Sequence, residues 1–337
     1  MAKIDILAPG QLPDKTQATL AERFAVHRIA DVEELAGIAA ADLMGRFRGI
    51  ARGAHFDISR DLIERLPKLE IVANFGVGYD GIDLKAAASR GIVVTNTPDV
   101  LTEEVADTAL GLILMTVREL SAAERHLRAG NWARQGNYPL TATLRDRTVG
   151  ILGLGRIGMT IARRLDAMHV PVVYHTRKPR ADVSYRHFPT LRGMAEAVNL
   201  LLVVIPGTPE TRNLIDRDIL AALGPNGILI NMGRGSVVDE KALIQALQAR
   251  TILAAGLDVF PDEPNVAAEL IALPNTVLLP HVGSASVHTR NAMGQLVVDN
   301  LSNWFDRGAP LTPVPETPWL ARQGQGSSWP ACAPAPP

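Results

Sequence analysis

Apolar residues fall in short runs that alternate with stretches of helical spacing along most of the chain. Lys3–Leu7 predicts a first strand, closed by Ala8-Pro9-Gly10. Pro13–Phe24 has helical periodicity, Ala25–Ile29 predicts a second strand, and Val32–Ala41 a further helix. Gly49–Ala54 is a short run of small and apolar residues around Arg52, and Ser59–Arg65 reads as helical. Leu69–Phe75 predicts a strand opening into Gly76-Val77-Gly78-Tyr79-Asp80, a glycine loop able to receive an anion on backbone N–H groups or to serve as a plain turn. Leu84–Arg90 then reads as a helix and Ile92–Asn96 as a strand that Pro98 ends. Repeated alternation of this kind predicts an α/β domain over roughly the first 100 residues.

The pattern resumes after a long helical stretch. Leu101–Glu124 predicts one helix, with Thr102 as its cap and Glu103 and Glu104 in its first turn. Gly130–Thr143 is looser and carries Trp132, Tyr138 and Pro139, as expected of a loop that covers a site, meets a partner subunit or packs on its own side chains. Strands are expected at Val149–Leu152, Val170–Tyr174, Val198–Ile205, Gly227–Asn231, Thr251–Val259 and Thr276–Leu279. Short helices are expected at Leu214 and Ile219–Leu223, and longer ones at Asp239–Ala249 and Ser286–Phe305. Arg234, Asp258, Glu263 and His281 all fall at or beyond the carboxyl ends of strands, the edge that holds the ligand crevice of an open parallel sheet. Beyond Gly308 the chain becomes rich in Pro, Ser and Gly, and Ala321–Pro337 shows no periodicity.

A length of 337 residues, 47% of them apolar, allows two domains with sizeable cores. With 34 basic and 35 acidic side chains the formal charge is -1, which gives no field for nucleic acid or an anionic membrane. Cys332 is the only cysteine, so neither an internal disulfide nor a cysteine metal cluster is expected, and no metal site is expected at all. MAKIDILAPG lacks the apolar core of a signal peptide, and the most apolar runs, Ala109–Thr116 and Leu200–Ile205, are too short to span a bilayer. A soluble cytoplasmic protein is the expectation.

One stretch carries specific chemistry. In Val149–Gly158 an apolar run leads into Gly153, Leu154, Gly155, Arg156, Ile157 and Gly158, and a helical pattern follows through Leu165. This strand, GxGxxG turn and helix predict a dinucleotide site. Gly153 allows the turn, Gly155 lets the backbone approach a pyrophosphate, and Gly158 permits close helix–strand packing at a helix start that favours negative charge. The residues after the next strand read His175, Thr176, Arg177, Lys178, Pro179, Arg180, with no carboxylate to accept from a ribose hydroxyl. A 2′-phosphate would be repelled by an acid there and can be paired by Arg177, so NADP(H) is the expected cofactor and NAD(H) the alternative.

Read together, these segments resemble the D-isomer-specific 2-hydroxyacid dehydrogenase family over nearly the whole chain. Asn74-Phe75-Gly76-Val77-Gly78-Tyr79-Asp80 is similar to its substrate loop, and the glycine motif sits mid-chain as in that family. Asn231-Met232-Gly233-Arg234-Gly235, Gly256-Leu257-Asp258-Val259-Phe260 with Glu263-Pro264, and Leu279-Pro280-His281-Val282-Gly283 follow in the family's order. The resemblance implies two Rossmann-like parallel-sheet domains: a substrate domain at residues 1–100 and 286–315, an inserted cofactor domain at 101–285, and a tail at 316–337. It also implies a homodimer, with a loop such as Gly130–Thr143 reaching the partner, and an active site between the domains. Arg234 would hold the substrate carboxylate and polarise the 2-oxo oxygen, helped by backbone N–H groups around Val77 and Gly78. His281 would carry the proton, Glu263 would hydrogen-bond His281 and favour its charged form, and Asp258 would position the nicotinamide amide. Ile205, Pro206, Thr211, Met232, Gly233, His281 and Gly283 would line the cofactor, although Ile205-Pro206-Gly207 departs from the family's more usual Pro-Leu. The basic turn resembles the NADPH-linked glyoxylate/hydroxypyruvate reductase branch, which implies small 2-oxo acids as substrates. An NAD-linked dehydrogenase for bulkier oxo acids, or a nucleotide-sensing interaction protein on the same scaffold, are the alternatives. A formate dehydrogenase fits less well because Glu263 stands where that branch pairs its histidine with glutamine, and an L-specific dehydrogenase would carry the glycine motif near its amino terminus.

Overall fold

The structure, a computed structural model, describes residues 2–31, 34–35, 37 and 44–319. Most of the helix expected over Val32–Ala41, and the tail from Ala321, lie outside the described residues. The chain divides into two compact α/β units. One is built from the residues up to Pro98 together with those from Asn291 onward, the other from Asp99–Arg290.

The first unit holds five parallel strands: β1 (Asp5–Pro9), β2 (Ala25–Ile29), β3 (Gly49–Arg52), β4 (Ile71–Asn74) and β5 (Val93–Thr95), in the order β2-β1-β3-β4-β5. The sheet starts two residues later than Lys3 and reaches Pro9, a residue that supplies no N–H to a ladder but still accepts through its carbonyl, here from Gly53 N at 2.8 Å. Leu7, Ile50, Val72 and Val94 put apolar side chains into a core shared with Phe47, Ile58 and Ile63. Ser59 caps the helix Arg60–Arg65, its hydroxyl accepting from Leu62 N. The returning chain lies along β5. Val314 N donates to Val94 O at 2.9 Å, Val94 N donates to Thr317 Oγ1 at 3.0 Å, and Val314 and Thr317 are buried.

Seven parallel strands form the second unit: β6 (Val149–Leu152), β7 (Val172–His175), β8 (Arg186–His187), β9 (Leu200–Val203), β10 (Ile228–Asn231), β11 (Ala254–Leu257) and β12 (Thr276–Leu278). Their order is β12-β11-β10-β9-β6-β7-β8. The winding reverses between β6 and β9, and a crevice opens at such a switch point beyond the strand carboxyl ends. Strands β6, β9, β10 and β11 are buried along their whole length, as parallel strands covered on both faces must be. Leu201, Val203, Leu229 and Ala255 pack with Met194, Leu220 and Leu243 from the covering helices.

Three expectations are corrected. The single helix over Leu101–Glu124 is two helices, Thr102–Val117 and Leu120–Arg128, separated by Glu119 at φ 51°. Arg118 donates to Thr141 Oγ1 at 3.1 Å and Tyr138 donates its hydroxyl to the Glu119 carboxylate at 2.8 Å, so the following loop secures the corner. The first helix buries Val105, Ala109, Leu112 and Ile113, whereas the second buries nothing. Thr102 is its first helical residue rather than its cap; Leu101 takes that place with no side-chain bond. Leu214 lies outside any helix, and the 3₁₀ turn here is Pro209–Thr211. The Gly130–Thr143 stretch contains a short helix, Asn131–Gln135, and exposes Trp132 and Leu140. Among the described residues no helix is long and apolar enough to cross a membrane, and no group of three metal-ligating side chains converges.

Candidate active site

The glycine turn begins where β6 ends. Gly153 has φ +98°, and a Cβ there would lie 2.5 Å from Ile205 Cγ2 and 2.9 Å from Val204 O. Gly158 sits one turn into the helix Arg156–Ala167, where a Cβ would approach Gly153 O to 2.1 Å. Both glycines are required by backbone contacts within the unit. Gly155 differs: it precedes the first helical residue, and a Cβ on it would meet nothing within 4 Å. The protein leaves space beside Gly155, at a helix start whose N–H groups are suited to an anion, so these residues fit a pyrophosphate.

Past β7 the basic turn is ordered by its own bonds. His175 Nδ1 bonds Phe188 O at 2.7 Å, His187 Nε2 bonds Thr176 O at 3.0 Å, and Thr176 Oγ1 donates to Lys178 O at 2.6 Å. Arg177 and Lys178 remain exposed. Arg180 is committed elsewhere, donating from Nη1 to Leu154 O at 2.5 Å and pairing with Asp182, whose bonds hold the guanidinium above its ordinary pKa. On the other side of β6, Thr211 closes the Pro206–Thr211 turn, its hydroxyl donating to Pro206 O at 2.9 Å and accepting from Thr208 N at 2.8 Å.

The polar candidates of this unit stand beyond β10, β11 and β12. Asn231 ends β10 and clamps the turn after it: Oδ1 accepts from Gly233 N at 3.0 Å and Nδ2 donates to Arg234 O at 2.9 Å. Gly233 is packed so closely that a Cβ would fall 2.6 Å from Ile205 O. Arg234 emerges from this clamped turn half-buried, with Nη1 donating to Gly233 O at 2.8 Å. Asp258 follows β11 and is buried, its two oxygens accepting from Val282 N at 2.7 Å and Gly283 N at 2.8 Å. Burial pushes the Asp258 carboxyl above its usual range, and the two N–H donors and His281 only partly oppose this. Asp258 therefore fixes the loop that carries His281.

That loop presents His281 to Glu263. His281 Nδ1 lies 2.6 Å from Glu263 Oε2, and Glu263 Oε1 accepts from Phe260 N at 2.9 Å. The carboxylate is mostly buried at 18% exposure, whereas the imidazole is 42% exposed. An ionised carboxylate only accepts, so the proton between them rides on Nδ1 and the exchangeable position of the imidazole is Nε2.

Val77 and Gly78 belong to the other unit. Asn74, at the end of β4, donates from Nδ2 to Gly76 O at 2.9 Å and Gly78 O at 3.0 Å, and Asn96 Nδ2 donates to Val77 O at 3.0 Å. Three successive carbonyls are thus tied back by side-chain amides. Among the described residues no hydrogen bond takes up the N–H of Val77 or of Gly78, a pair of backbone donors of the kind that receives anions. The sequence placed Asn74 and Asn231 within its motifs without assigning them work. Their signal was position, an amide directly after a strand and before a glycine turn.

Comparison with known proteins places these features in a family. A family model described as "D-isomer specific 2-hydroxyacid dehydrogenase, NAD binding domain" matches residues 110–283. The glyoxylate/hydroxypyruvate reductase A of Arabidopsis thaliana is 49% identical over 267 residues, spanning 79% of this chain and 85% of that protein. A 2-ketogluconate reductase of Gluconobacter oxydans is 40% identical over 313 residues, spanning 93% of this chain and 99% of that protein. Among solved structures, an NADPH-dependent glyoxylate/hydroxypyruvate reductase of Sinorhizobium meliloti in complex with NADP and malonate superposes with a TM-score of 0.91 at 55% identity, covering 96% of this chain and 100% of that one.

Proposed function

Since this chain belongs to the D-isomer-specific 2-hydroxyacid dehydrogenases, NAD(P)-dependent enzymes acting on small 2-oxo and 2-hydroxy carboxylates, we propose that it is an NADPH-dependent reductase of glyoxylate and hydroxypyruvate, forming glycolate and D-glycerate. The bound nicotinamide supplies the hydride. The chain's own residues bind and orient the oxo acid and deliver the proton. Arg234 pairs with the substrate carboxylate and polarises the 2-oxo oxygen, and the N–H groups of Val77 and Gly78 donate to the carboxylate. His281 gives up its Nε2 proton as alkoxide charge develops on the former carbonyl oxygen, while Glu263 holds the ring through Nδ1 and offsets its positive charge. Asp258 orients the carboxamide of the nicotinamide, and Gly153, Gly155 and Gly158 shape the phosphate turn.

The observation that carries this reading is the His281–Glu263 pair at 2.6 Å beyond the strand ends of a sheet that also presents Arg234. Preference for NADPH rests on exposed Arg177 and Lys178 in a turn with no carboxylate where a ribose acceptor would stand, and on the NADP held by the Sinorhizobium meliloti relative. Small substrates are favoured because the Arabidopsis and Sinorhizobium relatives are named for glyoxylate and hydroxypyruvate. Assembly as a homodimer is supported by the exposed Trp132 and Leu140 of the Gly130–Thr143 stretch.

A kinetic matrix tests the reading: NADPH and NADH against glyoxylate, hydroxypyruvate, pyruvate and a branched oxo acid. The expected maximum in kcat/KM is NADPH with glyoxylate or hydroxypyruvate, and a strong preference for NADH would sink the cofactor assignment. Arg177→Ala should raise KM for NADPH about tenfold and leave that for NADH nearly unchanged, as the loss of one charge-assisted phosphate pair requires. Equal effects on the two cofactors would remove Arg177 as the 2′-phosphate contact.

A further inference from the structure

The glycine loop after β4 is held from behind by a two-step relay. Asn74 is 1% exposed, and both hydrogens of its amide are engaged by Gly76 O and Gly78 O. Its amide oxygen accepts from Arg52 Nη1 at 2.5 Å. Arg52 ends the neighbouring strand β3 and stands opposite Asn74 in the ladder register. The Arg52 side chain is only 11% exposed, with Nε donating to Phe56 O at 2.6 Å and Nη2 lying 3.9 Å from the exposed Asp57 carboxylate. Gly81 closes the slot around it, since a Cβ there would come within 2.3 Å of Arg52 Nη2. The planar fork thus meets a carbonyl, an amide oxygen and a carboxylate together, which a lysine ammonium on its single stem cannot reproduce.

Such an arrangement has a direction. A cation donating to the amide oxygen strengthens that amide's own N–H donors, and the two bonds reinforce each other. Those donors grip the carbonyls on either side of Val77. Through Gly76 O their grip fixes the peptide plane that carries the Val77 N–H, and through Gly78 O it anchors the far end of the loop. The intervening plane, which carries the Gly78 N–H, is held separately by Asn96 Nδ2 on Val77 O.

We propose that Arg52 is a positioning residue for substrate binding, acting through Asn74 to hold the Gly76–Gly78 loop with the Val77 N–H presented to the oxo-acid carboxylate. This rests on the reading that Val77 and Gly78 bind that carboxylate. Arg52 itself touches neither substrate nor cofactor. Its loss lowers affinity for every carboxylate ligand of the loop and spares the cofactor and the proton transfer.

The enzyme tests this with Arg52→Met, Arg52→Lys and Gly78→Pro, the last removing the Gly78 N–H, the other carboxylate donor of the loop, directly. Arg52→Met should raise KM for glyoxylate and the inhibition constant of oxalate by about tenfold, the loss expected for one or two hydrogen bonds. Its kcat should fall by less than about threefold, since uniform binding is what is lost, and its Kd for NADPH should hold. Arg52→Lys keeps the charge without the fork, so its KM should lie between the two; this variant decides the matter if Arg52→Met fails to fold. Added guanidinium ion should bring the KM of Arg52→Met back toward the parent value, a rescue that a general packing defect would not show. If Gly78→Pro raises KM while both Arg52 variants leave it unchanged, the positioning role is overturned and the loop reading survives. If none of the three moves KM, the loop reading falls with it. Parallel losses of kcat and NADPH affinity in Arg52→Lys would also overturn the proposal, because they would mark a structural rather than a positioning role.

Discussion

A carboxylate that accepts on both oxygens dictates the tautomer of its histidine partner. Glu263 takes Phe260 N on one oxygen and His281 Nδ1 on the other, so Nε2 is the position free to exchange a proton with a substrate oxygen. His281→Ala is expected to lower kcat at least about a hundredfold, the usual scale of general acid catalysis, while leaving the Kd for NADPH within about twofold. Glu263→Gln keeps the shape and loses the charge, so its kcat should fall less, by about tenfold. Stopped-flow single turnovers with NADPH measure both, and near-normal rates in His281→Ala would remove its proton-transfer role. At this scale the candidates Arg234, Glu263 and His281 were legible because strand–loop motifs name their residues outright. Asn74 and Asn231 were not legible as clamps. An asparagine folds back on its own loop only where the next few backbone groups return to meet it, and that return is a property of the turn.

Among elements, the glycine turn divides into residues needed by the fold and a residue that leaves space beside the turn. A methyl on Gly158 would lie 2.1 Å from Gly153 O, a backbone atom with no room to yield. Gly158→Ala should therefore destabilise the protein by about 1–3 kcal/mol, the usual cost of overpacking. Gly155 has φ −74° and open surroundings, so Gly155→Ala should leave the melting temperature of the ligand-free protein unchanged and raise KM for NADPH. Equal melting losses in both variants would end the distinction. Strands of the second unit were readable as apolar runs because both faces of a parallel sheet are covered, yet the readings for β9 and β11 ran beyond the ladder at both ends. Apolar residues continue past the last paired residue into the loops that line the crevice. The break at Glu119 was invisible for another reason. A left-handed residue held by Tyr138 and flanked by Arg118 bonded to Thr141 leaves no trace in the periodicity of its own segment.

On the scale of the whole molecule, the first unit is assembled from both ends of the chain. Its β5 is edged by residues that arrive only after the second unit has been completed. The mid-chain place of the glycine motif made a two-domain organisation legible. The seat of the final segment was not, because Pro313-Val314-Pro315 carries no strand signal and its pairing with β5 is set at long range. This segment brings Glu316 to Tyr79, whose hydroxyl donates to the carboxylate at 3.2 Å to either oxygen. Burial, then the charge and hydrogen bond of Glu316, push the Tyr79 phenol from 10.0 up to about 12. The folded chain thus favours the neutral phenol more than the unfolded chain does. The stability this contributes is fully present below about pH 10 and is lost as pH rises toward 12. Urea unfolding followed through this alkaline range should show a decline that is shallower in Tyr79→Phe. Glu316→Gln should return the phenol only part of the way to 10.0, since burial, the larger cause, persists. If Tyr79→Phe loses stability with pH as steeply as the parent, the raised phenol of Tyr79, in the glycine loop after β4, contributes nothing to the alkaline loss.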